Sequence, residues 1–108
     1  MFSSKIKTTA TRLGATVTFA RSADAALAEM RKSAPALVIL DLNNPRTSPL
    51  AIVASMKADP TLASVPTVGY VSHVDTATID AARKAGVGEV LARSAFTMQL
   101  AEILSRQA

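Results

Sequence analysis

The run Ala36-Leu37-Val38-Ile39-Leu40 constrains the fold of this chain more than any other feature. It is continuous, β-prone and apolar, with no polar residue in alternation, which suits a strand covered on both faces and not an amphipathic edge. It stops abruptly at Asp41. A strand of this kind needs a layer above it and a layer below it, so the question becomes whether the remaining residues can supply helices.

They can. Phe2, Ile6, Ala10 and Leu13 recur at helical spacing, and Gly14 is placed to end the helix in a left-handed turn, so residues 3–13 are expected to be helical. Ser22 offers an N-cap for a second helix bearing Ala26, Leu27 and Met30, closed off by Pro35. Ser48-Pro49 has the favoured order of cap and then proline for a third helix, which Asp59-Pro60 stops. Asp75 can cap a fourth, carrying Ile79, Ala82 and Ala85 and ended by Gly86. A last helix over 96–106 shows Leu100, Ile103 and Leu104 on one face.

Between them lie further strand candidates. Residues 15–20 read Ala-Thr-Val-Thr-Phe-Ala, with Val17 and Phe19 alternating with threonines, the pattern of a strand with one face buried. Residues 67–72, centred on Val68, Tyr70 and Val71, and residues 89–92, through Val90 and Leu91, complete the set. Strict alternation of helix and strand implies a mostly parallel sheet with helices on both sides. In such sheets the functional crevice lies beyond the carboxyl ends of the strands. Asp41, Ser72 and Arg93 fall at those ends and are the residues to consider together.

Composition narrows the function classes. A chain of 108 residues, 49% hydrophobic, has room for one domain spanning 1–108 with an aliphatic core, since it holds only three phenylalanines and one tyrosine. The absence of cysteine excludes disulfides and thiolate zinc sites, and a single histidine excludes a histidine metal cluster within one chain. The longest apolar stretch, Ala34 to Leu40, is far short of the roughly 20 residues of a membrane span. The first residues carry no apolar segment of signal-peptide length, so a soluble, cytoplasmic protein is expected. The formal charge is +4, and no acid precedes Asp24. The basic residues are spread along the chain without the interleaved aromatics of single-strand binders, so nucleic acid is not the expected partner.

The segment ALVILDLNNP, from Ala36 to Pro45, resembles the central strand and phosphoacceptor loop of bacterial response-regulator receiver domains, the CheY-like family of two-component signalling. VPTVGYVSH, from Val65 to His73, is similar to the family's fourth strand. AARKAGVGEVLARSAF, from Ala81 to Phe96, is similar to its alanine-glycine turn, fifth strand and lysine-proline corner. The likeness covers nearly the whole chain. It implies a flavodoxin-like, three-layer α/β/α fold.

It also implies that Asp41 stands where the family accepts a phosphoryl group, and Asn43 where a backbone carbonyl helps hold Mg²⁺. A strand-end carboxylate attacks a phosphoryl donor only when cations neutralise the accumulating charge. The family's acidic pair, at the end of its first strand, has no counterpart here, and the chain is expected to be a receiver truncated by that strand. Arg93 stands where the family has lysine and Ser94 where it has proline. Arginine replaces a compact ammonium with a planar fork, which is not a conservative exchange at a crowded site. Val71 falls at the position of the switch threonine or serine, with Ser72 one residue later.

These departures favour a non-catalytic signalling or interaction module of the phosphorelay type, with Asp41 a vestigial phosphoacceptor and no cofactor. Asp41 and Arg93 are expected to pair as an ion pair, His73 to be a loop residue and Tyr70 to be core or interface. The alternative is a phosphorylatable receiver using Asp41 and Mg²⁺, for which Asp41 and Asn43 are the only weak metal-ligand candidates. Because the family's sheet order is 2-1-3-4-5, losing the first strand opens the edge of 37–40. The sheet then has about four strands. They can close ranks within one chain, or a second copy can cover the edge, with swapped elements an option. Association as a homodimer is the expected outcome, with Phe2, Ile6, Val17 and Phe19 near the shared surface. A further signalling protein is the other expected partner.

Overall fold

The computed structural model describes residues 2–20, 22–43, 48–71 and 76–106, without the side chains of Phe2, Ser3 and Arg106. Eight elements follow in order: α1 (Phe2–Arg12), α2 (Ala23–Lys32), β1 (Val38–Asp41), α3 (Pro49–Ala58), β2 (Thr67–Val71), α4 (Thr76–Ala85), β3 (Glu89–Ala92) and α5 (Arg93–Arg106).

Local chemistry explains most of the boundaries. The Ser22 hydroxyl accepts from the backbone N–H of Ala25 at 3.1 Å, so α2 begins on the cap expected of it. Gly14 and Gly86 both take positive φ, 77° and 107°. Behind α4 the N–H groups of Gly86 and Val87 both return to the Ala82 carbonyl, closing the helix in a left-handed turn that a side chain would strain. Helix α3 begins with Pro49 in its first turn as anticipated, yet Ser48 makes no side-chain cap because its own backbone is left-handed, φ 45° and ψ 62°. Helix α5 starts three residues earlier than the apolar spacing suggested, directly off β3.

The three strands form one parallel sheet in the order β1-β2-β3, with Asp41 opposite Tyr70 and Tyr70 opposite Leu91. All five residues of β2 are buried, as a central strand with helices on both faces requires. Strand alternation then divides the core in two. On one face Leu40 and Val71 join Leu27, Met30, Ile52, Val53 and Met56. On the other, Val68 and Tyr70 join Ile6, Ala10, Phe96, Leu100 and Ile103. Helices α1 and α5 pack together in the second layer, and α2, α3 and α4 pack in sequence in the first.

The sheet departs from the four strands expected. Residues 15–20 belong to no strand, although Ala15 and Val17 pack against the same core layer as Leu37 and Ile39. The alternation of Val17 with threonine is therefore expressed in burial and not in hydrogen bonding. A ladder needs a neighbouring backbone about 4.8 Å away. Residues 14–20 and 35–41 both line a groove of about 1730 Å³. Among the described residues no helix is long and apolar enough to cross a membrane.

Candidate functional site

Parallel strands deliver their carboxyl ends to one edge of the molecule. Asp41 ends β1, Val71 ends β2, and Arg93 follows Ala92 at the end of β3. The half-buried Asp41 turns its carboxylate onto its own loop, where Oδ1 accepts from the Asn43 backbone N–H at 3.1 Å. This is the short-range turn that aspartate makes with the residue two positions on. Asn43 itself is exposed. Ser72 and His73 lie outside the described residues.

Tyr70 organises the edge. Its ring stacks on Phe96, with centroids 4.9 Å apart and 24° between the planes, and the Arg93 guanidinium carbon lies 6.0 Å from the Tyr70 centroid. At that distance a cation is still held by the ring's negative face. Burial pushes the Tyr70 phenol up to about 12, the Asp41 carboxylate adds to the rise, and Arg93 opposes it. Both charges therefore act on the phenol from within the same cluster.

The ion pair expected between Asp41 and Arg93 is not formed. Among the described residues the salt bridges are Arg31 with Asp59 and Lys32 with Glu29, each at 3.5 Å. The Arg93 side chain is directed instead to the aromatic surface of Tyr70. Among the described residues no three of histidine, aspartate and glutamate gather as metal ligands. Among the described residues the strand ends offer the Asp41 carboxylate, with one oxygen already engaged by the Asn43 N–H. Mg²⁺ keeps several waters in its octahedral shell and takes one or two carboxylates, so among the described residues it would meet a single carboxylate here.

The residues assigned to a shared surface separate into different environments. Ile6 is 6% exposed and belongs to the core between α1 and α5. Val17 is half-buried, Phe19 is 47% exposed, and the Phe2 side chain lies outside the described residues. Ile6, Val17 and Phe19 all line the groove beside β1, as do Asp41, Tyr70 and Arg93. Tyr70 is the residue whose place in the site sequence reasoning missed. The available signal was that a lone tyrosine one position before the end of the central strand must put a polar tip near the strand-end crevice.

A parallel sheet between two helical layers, with an acid and a base at its carboxyl edge, defines an α/β protein of the flavodoxin-like type. No family model matches the chain, and no curated protein sequence matches it. Solved structures do. The phosphorylated cyanobacterial phytochrome response regulator RcpA is 25% identical with a TM-score of 0.79, over 97% of this chain and 81% of that one. The receiver domain of NtrX from Brucella abortus is 23% identical with a TM-score of 0.77, over 94% and 85%. The chemotaxis protein CheY4 of Vibrio cholerae is 18% identical with a TM-score of 0.82, over 100% and 92%. The chain has the CheY-like receiver fold.

Proposed function

We propose that this chain is a non-catalytic, receiver-like signalling module of the two-component type, which takes up no phosphoryl group on its own and works by binding protein chains. The observation that carries the reading is the donor set around Asp41. One carboxylate, turned onto Asn43, belongs to no described group of three or more histidine, aspartate or glutamate side chains that could hold a divalent cation. Phosphoryl transfer to a carboxylate brings two anions together, and without cations in place that repulsion is unrelieved. Arg93 does not supply the missing positive charge directly at Asp41, because its guanidinium is directed to Tyr70. The outer edge of β1, which pairs with no strand among the described residues, supports the second half of the reading, since such an edge is a template for another chain.

The test is incubation with acetyl phosphate and Mg²⁺, followed by intact-mass measurement, with Asp41→Asn as control. The expected result is no adduct on either protein. A stable adduct on the native chain that is absent from Asp41→Asn overturns the reading in favour of a phosphorylatable receiver.

A further inference from the structure

We propose that a row of basic helix ends, on the edge opposite the strand-end site, binds the phosphate backbone of a nucleic-acid duplex without reading its sequence. The inference goes beyond the signalling reading and uses a different face of the molecule.

Element polarity builds the row. In an alternating fold the helices run against the strands, so the edge that holds the strand amino ends also receives the helix carboxyl ends. The last turns of α2, α3 and α4 carry Arg31 and Lys32, Lys57, and Arg83 and Lys84. In sequence these five cations are far apart, so charge counting along the chain finds no cluster. The fold joins them, because α2, α3 and α4 pack in succession. Arg31 Nε reaches the carboxylate of Asp59, at the end of α3, at 3.5 Å. Lys57 Nζ donates to the Ala63 carbonyl at 3.3 Å. The Lys57 stem lies against the stop of α4, where a Cβ on Gly86 would stand 3.0 Å from Lys57 Cε. Two interhelical steps of about 8–10 Å make a row roughly 20 Å long.

All five cations are exposed. The acids beside them are Glu29, paired with Lys32, Asp59, paired with Arg31, and Asp80, one turn back along α4. Five cations against three acids leave an excess of two. Lys57, Arg83 and Lys84 enter no salt bridge among the described residues. Glu89, at the start of β3, shares the strand face of Leu91 and so belongs to the layer of α1 and α5. Each helix dipole favours cations within its own last turn, but only the packing of three ends side by side makes a continuous basic surface.

The make-up of the row selects the partner. Among the described residues the exposed large apolar side chains are Leu13, Phe19 and Met98, none of them on α2, α3 or α4. The row therefore offers no apolar anchor. Protein interfaces centre on such anchors and are depleted in lysine, and a membrane-surface helix needs an apolar face to enter lipid. Nucleic-acid interfaces are polar and strongly positive. The exposed Ser33 and Ser64, beside Lys32 and Ala63, add hydroxyls of the kind that bond phosphate oxygens. No aromatic residue lies on α2, α3 or α4, so unpaired bases would find nothing there on which to stack, and a duplex backbone fits instead.

The probe is a fluorescein-labelled DNA duplex of about 20 base pairs, titrated with the full chain and read by anisotropy from about 50 to 200 mM salt. Three unpaired cations set the expected slope of log K against log salt at about −2.7, the same for duplexes of different sequence. Arg83→Gln with Lys84→Gln, two exposed changes at a helix end, should bring the slope to about −0.9. Lys5→Gln with Lys7→Gln, the same loss of charge on α1, should leave it unchanged. No binding at protein concentrations up to about 10⁻⁴ M overturns the proposal. So does an equal loss of slope in the two double variants, which would make net charge alone responsible. Polyglutamate that displaces the duplex at equal charge concentration assigns the row to acidic proteins, and preference for phosphatidylserine vesicles over the duplex assigns it to a membrane surface. Either result also overturns it.

Discussion

Asp41 and Tyr70 face each other across the β1–β2 ladder, and the carboxylate of one helps keep the phenol of the other protonated. The expected consequence is measurable, because Tyr70 is the only tyrosine and there is no tryptophan. Ultraviolet titration of the folded chain should place its ionisation near 12, against an ordinary 10.0. Asp41→Asn should lower that value, and Arg93→Gln should raise it further.

The same shift makes stability depend on alkaline pH. Below pH 10 the phenol is neutral in folded and unfolded chains, so its contribution is fully present. Between about pH 10 and pH 12 the unfolded chain releases a proton that the folded chain retains, and stability falls by about 2 kcal/mol. Urea midpoints across that interval should drop for the native chain, and the part of the drop due to Tyr70 should vanish in Tyr70→Phe.

Gly69 leaves room for Leu42. A Cβ at position 69 would come within 2.7 Å of Leu42 Cδ1 and 2.9 Å of its Cγ, and Leu42 is buried in the core. Gly69→Ala is expected to cost about 1 to 3 kcal/mol by overpacking. Adding Leu42→Ala should cost less than the sum of the two single changes, measured by denaturant unfolding. Strict additivity would show that the leucine moves aside freely.

Phe96 is fully buried and carries the Tyr70 stack. Phe96→Leu keeps an apolar side chain while removing the ring, so a loss of about 1 to 2 kcal/mol is expected. The near-ultraviolet circular dichroism of Tyr70 should weaken as well, since the ring that orders it is gone.

Where sequence and structure agree, short-range chemistry is the reason. Residues 38–41, 67–71 and 89–92 are strands because β-prone runs end at Asp41, follow Pro66 or follow Gly88, and the Ser22 cap and Gly86 stop need only their own helices. Residues 15–20 have the right alternation, but a ladder also requires a backbone alongside, which no local pattern encodes. Ser48 has the right side chain for a cap in the wrong backbone conformation. Asp41 and Arg93 were placed correctly at one edge by the alternation of elements. Their separation follows from Tyr70, whose ring offers the guanidinium a surface that charge counting alone does not reveal.

That last point predicts the size of their coupling. A direct buried ion pair would make Arg93→Gln far more harmful alone than in combination with Asp41→Asn, because the orphaned carboxylate would be left desolvated, at a cost of about 3 to 5 kcal/mol. With no ion pair between them and Arg93 exposed at the start of α5, their interaction passes through a half-solvated edge. A double-mutant cycle in denaturant should therefore return a coupling below about 1 kcal/mol. The corresponding cycle of Arg93→Gln with Tyr70→Phe, read at neutral pH, should be equally small, because phenylalanine keeps the ring face on which the guanidinium rests. Arg93→Gln with Tyr70→Leu removes that face and should show a coupling of about 0.5 to 1 kcal/mol. A large Asp41–Arg93 coupling would instead mean that the two side chains meet in solution.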